Sequence, residues 1–128
     1  MTLDSSVLVA ILLSEAGSLD LVDRILEADL VRIGAPTLVE TSMVFAARRG
    51  TTSTREVDDL VKELGVAVVA FAEPDWYAAV AAFQRFGRGR HPAALNFGDC
   101  LAYATAAVAG DRLLFVGDDF RRTDIPPA

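Results

Sequence analysis

The sequence has few of the residues that form disulfides or zinc sites. Its 128 residues include one cysteine, Cys100, and one histidine, His91. A lone cysteine excludes an internal disulfide and suits a reducing compartment, so we expect a cytoplasmic protein in which Cys100 simply packs inside a helix. The His and Cys sets that usually bind zinc are excluded as well.

Long apolar runs are also lacking. No segment approaches the roughly 20 apolar residues that span a bilayer, and no basic region precedes the first apolar segment, so neither a membrane span nor a secretory signal is expected. Hydrophobic residues nevertheless make up 52% of the chain, and the mean hydropathy is +0.35. For a single domain covering residues 1–128, this apolar excess predicts a subunit interface and therefore a homodimer.

Basic residues are outnumbered, with 12 Lys and Arg against 18 Asp and Glu and a net charge of -6. This balance argues against a protein that coats nucleic acid through bulk electrostatics. It is compatible with an acidic, metal-filled centre beside a local basic rim. The loop at 87–94 is either merely solvated or contacts an anionic substrate. The candidate basic residues in and next to this loop are Arg85, Arg88, Arg90 and His91.

Short strands alternate with helices along the chain. Apolar and β-branched runs predict strands at 2–3, 30–34, 66–71 and 112–116. Helical spacing and end signals predict helices at 5–13, 18–28, 36–49, 52–64, 73–86 and 99–109. We expect Ser53 or Thr54 to cap the fourth helix, and the face with Trp76, Val80, Phe83 and Phe86 to be core. The alternation predicts an α/β fold with a central, mostly parallel sheet flanked by helices, an α/β/α sandwich.

Acidic residues recur where the predicted elements join. Asp4 follows the first strand, Glu40 lies in the helix after the second, and Asp99 opens the last helix. Asp118 and Asp119 follow the last strand. Because the carboxyl ends of parallel strands meet at one edge of a sheet, these acids can converge. The alternative for Glu40 and Asp99 is a purely local role at a helix N-terminus, compensation of the helix dipole for Glu40 and a cap for Asp99.

Converging carboxylates repel one another unless a cation is present. Oxygen ligands of this kind suit Mg²⁺ or Mn²⁺, and such a centre can activate water and stabilise charge on a phosphodiester. A phosphatase of the HAD type also begins with an Asp after its first strand. That chemistry needs a second Asp two positions on, where this chain has Ser6.

Four segments together resemble the PIN-domain ribonucleases and, more narrowly, the VapC toxins of bacterial type II toxin–antitoxin pairs. The similarity spans essentially the whole chain in order and spacing, and it rests on Leu3–Ala10, Pro36–Glu40, Leu95–Cys100 and Leu114–Phe120. The resemblance implies a PIN-like fold and Mg²⁺- or Mn²⁺-dependent endoribonuclease activity. It also implies a homodimer that a VapB-type antitoxin neutralises in a toxin–antitoxin hetero-oligomer.

The resemblance also implies roles for individual residues. The catalytic and metal-binding acids that match are Asp4, Glu40, Asp99 and a fourth that is either Asp118 or Asp119. Ser6 matches a small hydroxyl residue near the site, and Thr123 a similar supporting position. The RNA that is cut stays open among tRNA, rRNA and mRNA. The alternative from another class is a PIN domain kept only as a binding module.

Overall fold

The computed structural model describes residues 1–52 and 54–128, and within them strands and helices alternate as the sequence predicts. The strands are β1 Thr2–Leu3, β2 Arg32–Gly34, β3 Ala67–Val69 and β4 Leu113–Leu114. The helices are α1 Ser5–Leu12, α2 Ser18–Leu26, α3 Ala35–Arg49, α4 Arg55–Glu63, α5 Glu73–Phe86 and α6 Phe97–Ala109. The expected Ser53 cap lies outside the described residues, and Thr54, at the N-cap position of α4, makes no side-chain cap bond.

The strands form a parallel sheet in the order β3-β2-β1-β4. Thr2 in β1 stands opposite Arg32 on one side and Leu113 on the other, so the first strand lies at the centre of the sheet. Its central position explains why Thr2 and Leu3 are both fully buried. The prediction of a parallel sheet flanked by helices is confirmed.

Two apolar clusters cover the two faces of this sheet. One joins β1 to α1, α2 and α4 through side chains such as Leu8, Ile25 and Val61. The other joins α5 to α6 and includes Ala82 and Tyr103. α3 packs against both α1 and α6, so it lies where the two halves meet. Among the described residues, no helix combines the length and the apolar character needed to cross a membrane.

The strands are shorter than the apolar runs that predict them. The last strand ends at Leu114, because the backbone N–H of Val116 donates to the Oγ of Ser6 (3.0 Å) instead of continuing the ladder. The prediction that 66–71 is a buried strand is wrong for its middle: β3 is an edge strand, and Val68 is 49% exposed. A neighbour on one side only leaves part of an edge strand in solvent.

The prediction that one aromatic face of α5 forms core is also wrong for most of that face. Trp76, Val80 and Phe83 are 55%, 43% and 42% exposed, whereas Phe86 is buried. α5 presents small residues, Ala79 and Ala82, to the neighbouring α6, so the larger side chains stay outside. The helical period therefore identified an apolar face but not its burial.

Candidate active site

Asp4 lies at the centre of the site, between the end of β1 and the start of α1. It is the N-cap of α1: its Oδ2 accepts hydrogen bonds from the backbone N–H (3.0 Å) and from the Oγ–H (2.5 Å) of Ser6. The side chain is 5% exposed. Asp is a common N-cap, but a cap needs no burial, and removing a carboxylate from solvent to this extent is costly.

Ser6 connects Asp4 to the loop that carries the last acids. Its hydroxyl donates to Asp4 and at the same time accepts from the N–H of Val116, two residues beyond β4. Ser6, the small hydroxyl residue that the resemblance implies near the site, therefore bonds Asp4 on one side and Val116 on the other. Thr123 acts within its own turn, since its Oγ1 donates to the carbonyl of Phe120 (2.8 Å) and accepts from the N–H of Ile125 (3.3 Å).

Glu40 reaches the site from α3. Its carboxylate lies against the first turn of α6, where a Cβ placed on Gly98 would stand 2.6 Å from its Cδ and Oε2 and closer still to its Oε1. The absence of a side chain at Gly98 thus allows the contact. A carboxylate beside a helix N-terminus is also favoured by the helix dipole.

Asp99 is part of the capping box of its own helix, whose N-cap is Asn96. Its backbone N–H donates to Oδ1 of Asn96 (2.9 Å), and its Oδ2 accepts from the N–H of Asn96 (2.8 Å), which together form a capping box. The local role considered for Asp99, in the cap of its own helix, is therefore observed. It does not account for the state of the carboxyl group, because burial raises the pKa of Asp99 to about 6 even though the hydrogen bond with Asn96 opposes the rise.

The electrostatics show that the acids face a common space. Negative charge on Asp4, Asp119 and Glu40 contributes to the raised pKa of Asp99. The pKa of Asp4 is raised by burial first, against its bonds with Ser6, and also by the charge of Asp119. The pKa of Glu40 is raised by burial and by the charge of Asp4. The carboxyl groups of Asp4, Glu40 and Asp99 are thus each influenced by the charge of at least one other acid from a different part of the chain.

The two acids of the last loop differ in their surroundings. Oδ1 of Asp118 pairs with Nε of Arg121 at 2.8 Å, and the Asp118 side chain is 87% exposed. Asp119 is the one whose charge acts on both Asp4 and Asp99. Adjacent residues in a loop point in different directions, and here Asp119 lies on the side of the other acids.

The donor set fits Mg²⁺ or Mn²⁺ in its chemistry. Carboxylate oxygens are the preferred ligands of these ions, and acids that raise one another's pKa are those whose repulsion a divalent cation relieves. As the side chains stand, no three Asp, Glu, His or Cys residues of the described chain are grouped closely enough to hold a metal ion. Asp4 and Asp99 each have one oxygen hydrogen-bonded to a backbone N–H at a helix N-terminus, so side chains must move for the acids to bind one ion.

The basic residues near the site are not equivalent. Arg85 is paired with Asp124, Nη2 to Oδ2, at 2.7 Å, and His91 accepts the N–H of Ala93 at its Nδ1 (3.1 Å). The Arg90 guanidinium lies over the ring of Phe83, 5.0 Å from its centre. Arg88 is exposed and borders a groove that is also lined by Asn96 and Phe97, which precede Asp99 in the chain.

This groove, which we call the α5–α6 groove, has a volume of about 770 Å³. Its walls are mainly apolar and include Trp76, Val80, Phe83, Phe97 and Leu101. Phe97 is 81% exposed and stands two residues before Asp99. This exposed surface could not be predicted from the sequence, since an apolar helical face has the same period whether or not it is covered. Gly98 was missed as well, although its place directly before an acid was a signal.

Comparison with known proteins gives the same picture. The sequence profile of the PIN domain matches residues 1–126. The chain is 41% identical to ribonuclease VapC of Mycolicibacterium smegmatis over 126 residues, 98% of this chain and 97% of that protein. It is 40% identical to ribonuclease VapC30 of Mycobacterium tuberculosis over 126 residues, 98% of this chain and 95% of that protein.

A solved structure supports the fold. A toxin–antitoxin complex from Klebsiella pneumoniae contains a chain that superposes with a TM-score of 0.73 at 15% identity, covering 99% of this chain and 95% of that one. At so low an identity the likeness concerns the fold alone, and it agrees with the parallel sheet described above. With the profile and the relatives matching almost from end to end, the chain belongs to the PIN-domain family, among its VapC ribonucleases.

Proposed function

We propose that residues 1–128 work as one unit, the toxin of a type II toxin–antitoxin pair, and that it cuts RNA with the help of Mg²⁺ or Mn²⁺. The observation that carries the proposal is that Asp4, Glu40 and Asp119 lie close enough to Asp99 for their charges to contribute to its raised pKa. Named ribonucleases among the relatives support the reaction class.

Each acid has a distinct part in this proposal. Asp4 and Asp99 are the principal ligands, because the pKa of each is raised both by burial and by the charge of Asp119. Glu40 and Asp119 complete the set, directly or through water, while Asp118 stays with Arg121. A bound divalent ion supplies Lewis acidity that activates water and stabilises charge on the phosphodiester. The protein holds its acids in place, and no side chain is needed as a nucleophile.

RNA approaches a site that carries negative charge, so local cations are expected to guide its phosphates. Arg88 is the best placed, because it borders the α5–α6 groove beside Asn96 and Phe97, just before Asp99. Arg90 is exposed close by, over Phe83. Arg85 and His91 are weaker candidates, since each already has a partner within the chain.

Two kinds of protein partner follow from the surface. Exposed apolar side chains on α3 and α5, such as Val39, Met43 and Trp76, support a homodimer. The acidic centre supports a VapB-type antitoxin that inserts an arginine near Asp4 and Asp99, because a planar guanidinium pairs bidentately with carboxylates. Replacing that arginine with Ala should restore cleavage more than it weakens the complex. If an antitoxin that lacks the segment with this arginine still inhibits fully, this arrangement is contradicted.

The direct test compares RNA cleavage by the purified protein in EDTA and after addition of Mg²⁺ or Mn²⁺, with Asp99→Asn as the matched variant. We expect no cleavage in EDTA, recovery with either ion, and none from Asp99→Asn at any ion concentration. The substitution keeps the shape of the side chain and removes its charge, so the fold should be retained. Full cleavage in metal-free buffer, or by the variant, would refute the mechanism. A protein that binds RNA without cutting it would instead be a PIN domain kept as a binding module.

A further inference from the structure

A hydrogen-bonded pair outside the acidic cluster fastens the end of the loop that carries Asp119. The Oη–H of Tyr103 donates to Oδ1 of Asp124 at 2.6 Å, and the other oxygen of Asp124 accepts from Arg85 at 2.7 Å. Tyr103 is on α6, one turn after Asp99, and Arg85 is on α5. The pair thus joins the last segment of the chain to the two helices that pack together most closely.

This bond is of the strong, charge-assisted type. An O–H···O⁻ distance near 2.6 Å is typical of a hydroxyl bonded to an ionised carboxylate. Its hydrogen bond with Tyr103 lowers the pKa of Asp124, with help from Arg85, so the acceptor is ionised. Burial and the bond to Asp124 raise the pKa of Tyr103 to about 12, so the donor keeps its proton at any physiological pH.

The loop from Val116 to Asp124 is therefore fixed at both ends. At its start, the N–H of Val116 donates to Ser6, whose hydroxyl also bonds Asp4. At its end, Asp124 bonds Tyr103 on α6, the helix that has Asp99 in its first turn. Between them Phe120 is 2% exposed and packs on Phe115, with 5.1 Å between ring centres. Asp119 precedes this buried anchor, so its place relative to Asp4 and Asp99 is set from two sides.

We propose that Tyr103 and Asp124 are positioning residues that hold Asp119 beside Asp4 and Asp99. The inference rests on the proposed function, since it concerns the assembly of the divalent-ion site. A role limited to general stability is the competing explanation, and it predicts a different result. Stability alone would not make the effect of Tyr103 depend on the carboxylate of Asp119.

The test is a Mn²⁺ titration by isothermal calorimetry without RNA, with the melting temperature of each metal-free variant measured in parallel. Tyr103→Phe, which removes only the hydroxyl, should weaken Mn²⁺ binding about ten-fold, the lower end of the range for groups that support metal ligands. Asp124→Ala should do the same. Asp124→Asn should retain most of the affinity because its amide oxygen still accepts from Tyr103. Tyr77→Phe, at an exposed tyrosine of α5, is the matched control and should bind as the parent does.

The decisive comparison places Tyr103→Phe in an Asp119→Asn background. If the pair acts through Asp119, Tyr103→Phe causes no further loss of Mn²⁺ affinity in the Asp119→Asn background. An equal ten-fold loss in both backgrounds, or parental affinity in both Tyr103→Phe and Asp124→Ala, would overturn the inference while leaving the proposed function intact. A parent protein that binds no Mn²⁺ would overturn the proposed function, and this inference with it.

Discussion

The contact between Gly98 and Glu40 gives the sharpest prediction, for the substitution Gly98→Ala. The added Cβ would stand 2.6 Å from Cδ of Glu40, so the carboxylate must retreat by roughly 1 Å to reach an ordinary contact distance. Because the obstacle is the end of a flexible side chain, Glu40 moves and the backbone does not have to. The clash therefore acts on the site rather than on the fold.

The expected changes in stability and in activity distinguish an effect on the site from an effect on the fold. Replacing Gly by Ala within a helix gains up to about 1 kcal/mol of stability, so the metal-free variant should melt at or slightly above the temperature of the parent. A misplacement of roughly 1 Å at a reacting centre can cost about a hundred-fold in rate. We therefore expect Gly98→Ala to be fully folded and about a hundred-fold slower at saturating Mg²⁺.

The assay is cleavage of a fluorescent oligoribonucleotide, with thermal unfolding followed on the same samples. Gly98→Ala in a Glu40→Ala background is the matched control, since the new methyl group then has no carboxylate to displace. In the Glu40→Ala background, Gly98→Ala should cost no further activity and should give the whole gain in helix stability. Parental activity in the single variant would refute the reasoning, and a melting temperature several degrees lower would show that the backbone had moved instead.

Three further predictions concern charge, hydrogen bonding and assembly. Because the pKa of Asp99 is raised from 3.8 to about 6 in the folded protein, the folded state holds this proton more tightly, and stability is lost as the pH rises across that window. Asp99→Asn should therefore melt about 3 °C or more above the metal-free parent at pH 7.5, which corresponds to a gain in stability on the order of 1 kcal/mol. This gain should disappear near pH 4. Equal melting temperatures of variant and parent at both pH values would contradict the raised pKa. Ser6→Ala removes the hydroxyl that bonds both Asp4 and the N–H of Val116, and at about 0.5–1.5 kcal/mol for each bond it should destabilise the protein by about 1–3 kcal/mol, measured by urea unfolding. Ser6→Thr keeps the hydroxyl and should recover most of the loss; an equal loss in both variants would exclude the hydroxyl as the cause. Met43→Asp, on the exposed face of α3, should convert a homodimer to a monomer in light scattering, whereas Leu19→Asp on α2 should not, and a reversed result would place the interface elsewhere.

Much of the fold was predictable from the sequence because its signals are local. Alternating apolar runs and helical periods depend on neighbours within a few residues, so the order and type of every element were predicted correctly, with differences of a few residues at their ends. The convergence of Asp4, Glu40 and Asp99 was also predictable, because parallel strands place their carboxyl ends at one edge of the sheet.

Burial, partner choice and side-chain direction were decided only by the tertiary structure. Trp76 and Phe83 follow a core-like period but stay exposed, since α5 meets α6 through alanines. Nothing local distinguishes Asp118 from Asp119; the difference arises because Asp118 pairs with Arg121 while the charge of Asp119 acts on Asp4 and Asp99.

Gly98 and Tyr103 show the same division between local and distant information. The sequence alone shows a glycine directly before Asp99 and predicts a tyrosine one turn after it on the same helix. Only the folded chain brings Glu40 against the glycine and Asp124 to the tyrosine, across 58 and 21 residues of sequence. Periodicity describes which face of an element is apolar, whereas contacts between distant residues depend on how the elements pack, and that packing is a property of the whole chain.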